Sequence, residues 1–134
     1  MTSCFVDSNV FLRFFNKDEP EQSAAAEALF QKAKDGEIEL FCGPPVFFEV
    51  AWELRSYYKL SEAVILDTLE SMLSIPHFTV FDLEQVTTAI SLARSKGCGF
   101  ADSYIAATAL DKGLGIATFN EKHFKKLGAE LYQF

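Results

Sequence analysis

The chain has 134 residues, 49% of them hydrophobic and 23% charged, with a formal net charge of −7. That length fits one domain with a single sizeable core, and the balance excludes a disordered chain. The negative charge excludes a protein that holds nucleic acid mainly through a basic surface, because such binders neutralise many phosphates with Lys and Arg.

Taken in chain order, Cys4, Phe5 and Val6 form a short apolar run ended by Asp7, the pattern of a strand buried on both faces. Pro20 opens a helix with Ala25, Ala26, Leu29, Phe30 and Ala33 on one face, and Gly36 closes it. A second strand is expected over Glu39 to Cys42. Pro44 and Pro45 then open a helix with Val46, Val50, Ala51 and Leu54 inward. Ser61 caps a helix bearing Ile65, Leu66, Leu69 and Leu73, which Pro76 stops. A third strand covers Phe78 to Phe81. Asp82 with Gln85 reads as a capping box for a helix that presents Ala89, Ile90 and Ala93 and ends at Gly97. The last long helix runs from about Ala101 to Lys112, before Gly113. A fourth strand is expected over Gly115 to Thr118 and a fifth over Glu130 to Phe134. The alternation predicts an α/β fold: a mostly parallel sheet with helices on both faces, in one domain over residues 1–134.

No apolar run approaches the ~20 residues that span a bilayer, and the first ten residues lack the basic start and long apolar stretch of a signal peptide. A cytoplasmic protein without a membrane segment is expected. Cys4, Cys42 and Cys98 carry no paired spacing and lie in or beside apolar segments, so they read as buried or incidental thiols rather than a disulfide or zinc site.

Carboxylates stand where strands end or helices begin. Asp7 opens Asp7-Ser8-Asn9-Val10 directly after the first strand; it reads either as a helix cap or as a metal ligand held at the sheet edge, with Ser8 and Asn9 available for hydrogen bonds. Glu49 lies about one turn into its helix, where the dipole favours an acid. Glu53 follows on the same stripe, so a positive group is expected nearby: Arg13, Arg55 or a metal ion. Asp102 begins an otherwise apolar row with Ile105, Ala106 and Ala109, where a charge is costly unless it caps the helix, is paired, or binds metal. The fourth position, in Thr118-Phe119-Asn120-Glu121, offers the neutral oxygens of Thr118 and Asn120 and the adjacent acid Glu121.

Carboxylates packed together repel one another unless a cation compensates. Mg2+ or Mn2+, hard ions that prefer oxygen and keep several waters, suit Asp and Glu without His or Cys. His77 and His123 accordingly read as bystanders. Bound metal also presents positive charge to a phosphate, so an acidic chain remains compatible with nuclease chemistry.

Together these segments resemble the PIN domain, the metal-dependent ribonuclease family that includes the VapC-type toxins of toxin–antitoxin systems. Asp7-Ser8-Asn9-Val10 resembles the opening acidic motif, Val46-Phe47-Phe48-Glu49-Val50 the helical Glu motif, and Phe100-Ala101-Asp102-Ser103-Tyr104-Ile105-Ala106-Ala107 the third and most specific. Thr118-Phe119-Asn120 resembles the final segment, with Asn120 where an Asp is usual; the site then carries one negative charge fewer and holds a second metal more weakly. The resemblance implies a three-layer α/β/α sandwich around a five-stranded sheet of order 3-2-1-4-5. It implies a metal-dependent endoribonuclease, the toxin of a VapBC-type pair, using Mg2+ or Mn2+. Asp7, Glu49 and Asp102 would hold metal, Asn120 would complete the catalytic set, and Asn9, Thr118, Glu121 and Arg13 would support the site or meet substrate. RNA, a cognate antitoxin and a second copy in a homodimer are the implied partners. Phe11, Phe14 and Phe15 could line a groove for the antitoxin, or serve as plain core.

Two other readings stand beside it. A PIN-like interaction domain would have lost its metal site beginning at Asn120. A phosphatase of the haloacid dehalogenase type also begins with a strand ending in Asp, but its chemistry needs a second Asp two residues later, where this chain has Asn9.

Overall fold

The computed structural model describes residues Thr2–Phe134, which fall into two compact units, one ending at Asp82 and the other spanning Leu83–Phe134. The first unit contains β1 (Thr2–Phe5), α1 (Ser8–Asn16), α2 (Pro20–Lys34), β2 (Ile38–Cys42), α3 (Pro44–Ser56), α4 (Glu62–Leu73) and β3 (Phe78–Val80). The second contains α5 (Leu83–Lys96), α6 (Phe100–Lys112) and α7 (Glu121–Lys126).

In the first unit the strands form a parallel sheet of order β1-β2-β3. Thr2 to Phe5 pair with Ile38 to Phe41, and Leu40 to Cys42 pair with Phe78 to Val80. Parallel neighbours need crossover connections, and α1 with α2, then α3 with α4, supply them. Leu40 and Cys42 of the central strand are fully buried. The edge strand β1 departs from the doubly buried strand expected: Thr2, Ser3 and Phe5 are exposed, with Phe5 at 59%. Within the first unit's described residues it pairs with β2, and the buried member of its apolar run is Val6, just beyond its end.

Proline places the helices as expected, at the first turn of α2 and of α3, where a missing N–H costs nothing. Ser61 caps α4 by accepting from the Val64 amide at 3.4 Å. Phe11 is wholly buried in α1, with its ring 5.5 Å from Phe30 of α2 and 5.6 Å from Phe78 of β3. It therefore ties α1 to helix and sheet at once, and truncation to Ala would cost about 3–5 kcal/mol. Core is its role here, with Phe14 and Phe15 half-buried beside it.

In the second unit α5 packs on α6, and α6 on α7. A small core of Cys98, Ala106, Ala109, Ile116, Phe124 and Leu127 lies among them. Gly113 ends α6 in the left-handed conformation, φ 67°, that a Cβ disfavours. The expected capping box does not form: Asp82 has φ 55°, outside the extended region a cap requires, and Gln85 donates to Asp111 at 3.2 Å. Ile105 is 48% exposed, so the buried row of α6 continues from Asp102 through Ala106 and Ala109 without it.

Three strands, not five, form among the described residues, so positions four and five of the expected order are not occupied by strands. The segments expected there meet at one parallel bridge, Ile116 with Leu131. The Ile116 amide donates to Glu130 O and the Tyr132 amide to Ile116 O, both at 2.8 Å. The ladder ends because Thr118 turns the chain, its hydroxyl accepting from the Asn120 amide at 2.9 Å. Among the described residues no helix is long and apolar enough to cross a membrane. Cys4, Cys42 and Cys98 are free thiols.

Candidate active site

In the first unit the site begins where β1 gives way to α1. Asp7 is the N-cap of α1, with extended backbone and Oδ1 accepting from the Ser8 amide at 2.8 Å. Capping uses one oxygen of an exposed carboxylate and leaves Oδ2 without a hydrogen-bond partner among the described residues. Both roles read from the sequence are thus compatible in one side chain.

The next residue links the first acid to the second. Ser8 is only 2% exposed, and its hydroxyl donates to Glu49 Oε1 at 2.7 Å. Glu49 is presented by α3, whose rotation is set by the buried Val46, Phe47, Val50 and Leu54. A short bond from a buried hydroxyl to a carboxylate is the strong, charge-assisted kind. The backbone of Ser8 therefore holds Asp7 while its side chain holds Glu49.

Glu49 and Glu53 line a polar cavity of about 330 Å³, with Asn9, Arg13, Tyr57 and Tyr58 on its other sides. Neither arginine expected to neutralise them is spent on them. Arg13 pairs with Asp18 at 3.6 Å, and Arg55 with Glu62 at 2.7 Å. Arg13 also donates from Nε to Gln22 and from Nη1 to the Tyr58 hydroxyl, both at 2.9 Å. Tyr58 in turn donates to Asp18 at 2.8 Å. Burial, then the bond to Asp18, raises the Tyr58 pKa above its ordinary value, so the hydroxyl keeps its proton. Asn9 and Arg13 also border a more apolar cavity of about 360 Å³ against Gln22, Ala25, Ala26 and Leu29.

Cys42, at the end of β2, is pushed from 9.0 up to about 12, chiefly by burial; the negative charge of Asp7 adds to the rise, against the opposing effect of the Gly43 backbone. A thiol held protonated is a poor nucleophile at neutral pH.

In the second unit Asp102 lies in the first turn of α6, half-buried, and Asn120 is the N-cap of α7. His123 joins them: its Nδ1 is 3.0 Å from Asn120 Nδ2 and 3.3 Å from Asp102 Oδ2. One nitrogen cannot serve both in the same way. A protonated Nδ1 donates to the Asp102 carboxylate, whereas a bare Nδ1 accepts from the Asn120 amide. Thr118 fixes the Asn120 backbone. Glu121, the adjacent acid, is an exposed first-turn residue of α7. His123, read as a bystander, is in fact the residue that meets both; its spacing of three from a helix-capping Asn120 was the available signal. The contacts of Arg13 with Asp18 and Tyr58 were also missed; Asp18 is only five residues on, whereas no local pattern ties Tyr58, 45 positions away, to Arg13.

Among the described residues of either unit, no three His, Cys, Asp or Glu side chains come together as a metal-holding group. The oxygen-only pair Asp7 and Glu49 suits a hard divalent ion that retains several waters. No curated protein matches the chain at the level of sequence. The PIN domain profile matches residues 4–130, a single stretch containing Asp7, Glu49, Asp102 and Asn120. With nearly its whole length matched, the chain belongs to the PIN domain family, whose members are in general nucleases.

Proposed function

We propose that the chain is an endoribonuclease dependent on Mg2+ or Mn2+, with Asp7 and Glu49 of the first unit and Asp102 of the second as metal-ligand carboxylates. The observation that carries the reading is the double use of Ser8, which fixes two acids distant in sequence onto one residue. The PIN match over residues 4–130 supports treating both units as one PIN-like domain.

Hydrolysis of a phosphodiester breaks one P–O bond and forms another to the oxygen of water, so the protein's task is positioning and charge neutralisation. PIN domains usually use divalent metals, and such an ion, when bound, acidifies water and neutralises charge at the phosphate. Asp7, one of whose oxygens caps α1, and Glu49, oriented by the Ser8 hydroxyl, would hold the ion. Asn9, exposed on the first turn of α1, positions water. Thr118 holds the Asn120 backbone, and Asn120 contributes a neutral oxygen where its side chain is oriented by His123.

The same proposal makes the chain a cytoplasmic VapC-type toxin that forms a homodimer and is held in check by an antitoxin. Its net charge of −7 favours a basic protein partner. A catalytically weakened PIN-like interaction domain is the second reading, and Asn120 in place of an acid favours it. The phosphatase reading has no support from the family match.

Cleavage of a mixed transfer and ribosomal RNA pool with Mn2+, beside an EDTA control and Asp7→Asn protein, tests the assignment. Cleavage that both controls abolish is expected. Metal binding without cleavage moves the chain to the second reading, and cleavage that persists in EDTA refutes metal dependence.

A further inference from the structure

Arg13 is held by the protein on one side and open on the other. Its guanidinium has five N–H donors in a rigid plane. Nε is fixed by Gln22, and Nη1 is fixed by Tyr58 and drawn towards Asp18. Nη2 has no hydrogen-bond partner among the described residues. The side chain is 29% exposed and borders the same cavity as Glu49. Long basic side chains at a surface ordinarily lose much entropy on meeting a ligand, and one already held at two of its three nitrogens loses far less.

The cavity around it is chemically specific. Arg13 is its one basic lining residue, set against Glu49 and Glu53. An anion alone would be repelled by those acids, so the occupant must carry its charge at the Arg13 side and tolerate carboxylates, or their bound cation, on the other. Tyr57, 69% exposed, adds an aromatic ring at the rim, packed at 87° against Tyr58. A phosphate flanked by a base has this distribution, and a volume of about 330 Å³ accommodates a nucleotide-sized group.

We propose that Arg13, held in place by Tyr58, Asp18 and Gln22, is a phosphate-binding residue for one nucleotide of single-stranded RNA adjoining the scissile bond, with Tyr57 stacking its base. The inference rests on the nuclease reading for the identity of the substrate. Tyr58 and Asp18 are positioning residues: each acts on RNA only through the guanidinium.

The test uses the full chain and a fluorescein-labelled single-stranded RNA of mixed sequence. Binding is followed in EDTA by anisotropy across a salt series, and cleavage is followed separately with Mn2+. Arg13→Gln should weaken binding roughly tenfold and reduce the slope of log K against log salt by about 0.7, the value for one lost phosphate contact on a single strand. In cleavage it should raise KM more than it lowers kcat. Tyr58→Phe keeps the ring and removes the hydroxyl, and should weaken binding by a smaller factor with the salt slope nearly retained. A slope and affinity unchanged in folded Arg13→Gln protein overturn the proposal, while cleavage by the parent chain leaves the nuclease reading standing. Binding that depends on Arg13 without any cleavage sustains the subsite and sinks the nuclease reading. Absence of RNA binding by the parent chain overturns the subsite. Should Arg13→Gln fail to fold, Tyr58→Phe decides: unchanged affinity and KM refute the positioning network.

Discussion

Ser8 Oγ donates to Glu49 Oε1 at 2.7 Å across 41 positions of sequence, and the Ser8 amide donates to Asp7. The serine is buried while both acids are exposed, so the fixed element is the donor and the carboxylates are presented outward. Removing the hydroxyl should leave Glu49 free to rotate. Ser8→Ala is expected to lower metal-dependent cleavage roughly 10–100-fold, as the loss of an orienting partner does. Its thermal stability should fall by only about 1 kcal/mol. Parallel cleavage assays and thermal melts check this, and equal cleavage by both proteins would show that Glu49 needs no orientation.

Asp7 carries a structural duty that Asn can perform and a charge that Asn cannot supply. Asp7→Asn should keep the cap and stay within about 0.5 kcal/mol of the parent in urea unfolding, while Asp7→Ala loses about 1 kcal/mol. Both should lose cleavage. If Asp7→Asn cleaves RNA as well as the parent chain does, Asp7 is a cap and nothing more.

Cys42 gives a stability change with a definite sign. Its folded pKa, about 12, lies above the ordinary 9.0, so the folded chain holds the thiol proton more tightly than the unfolded chain. The contribution is fully present below pH 9 and is lost as pH rises towards about 12, reaching roughly 4 kcal/mol at the upper end. Other groups titrate in that range, so the readout is the difference between the parent and Cys42→Ala in urea unfolding at pH 8, 9, 10 and 11, about one step at a time through the window. The difference should narrow as pH rises; a constant gap would mean that Cys42 does not titrate as described. Iodoacetamide at pH 8 should leave Cys42 unmodified in the folded chain.

Asn120 tests whether the missing charge matters. Asn120→Asp would add an acid beside His123 and Asp102. The Mn2+ concentration for half-maximal cleavage should fall several-fold, because affinity rises with the number of charged ligands. An unchanged half-saturation point would remove Asn120 from the metal's surroundings.

Features encoded within a few residues are readable from the chain before it folds. Pro20 and Pro44 mark helix starts, Ser61 caps α4, Gly113 ends α6, and apolar periodicity shows which faces of α3 and α5 turn inward, because these depend on local dihedrals and hydrogen bonds. The α/β alternation with a parallel sheet follows from the same signals, and Asp7 and Asn120 stand out because each occupies the position just before a helix. Features that depend on partners distant in the chain emerge only on folding. Gly115 to Thr118 and Glu130 to Phe134 have strand composition but meet at one bridge, since a ladder needs two segments in register and Thr118 turns the first away. Asp82 and Gln85 have capping-box spacing, but Gln85 finds Asp111 instead. Ile105 keeps helical phase with Ala109 and is still exposed, because burial is set by what packs against a face. The hydrogen bonds that hold Glu49, Arg13 and Asp102, from Ser8, Tyr58 and His123, join residues up to 45 positions apart. A hydroxyl or an imidazole commits to its partner only when folding has excluded water from the alternatives, and that choice is made by the fold as a whole.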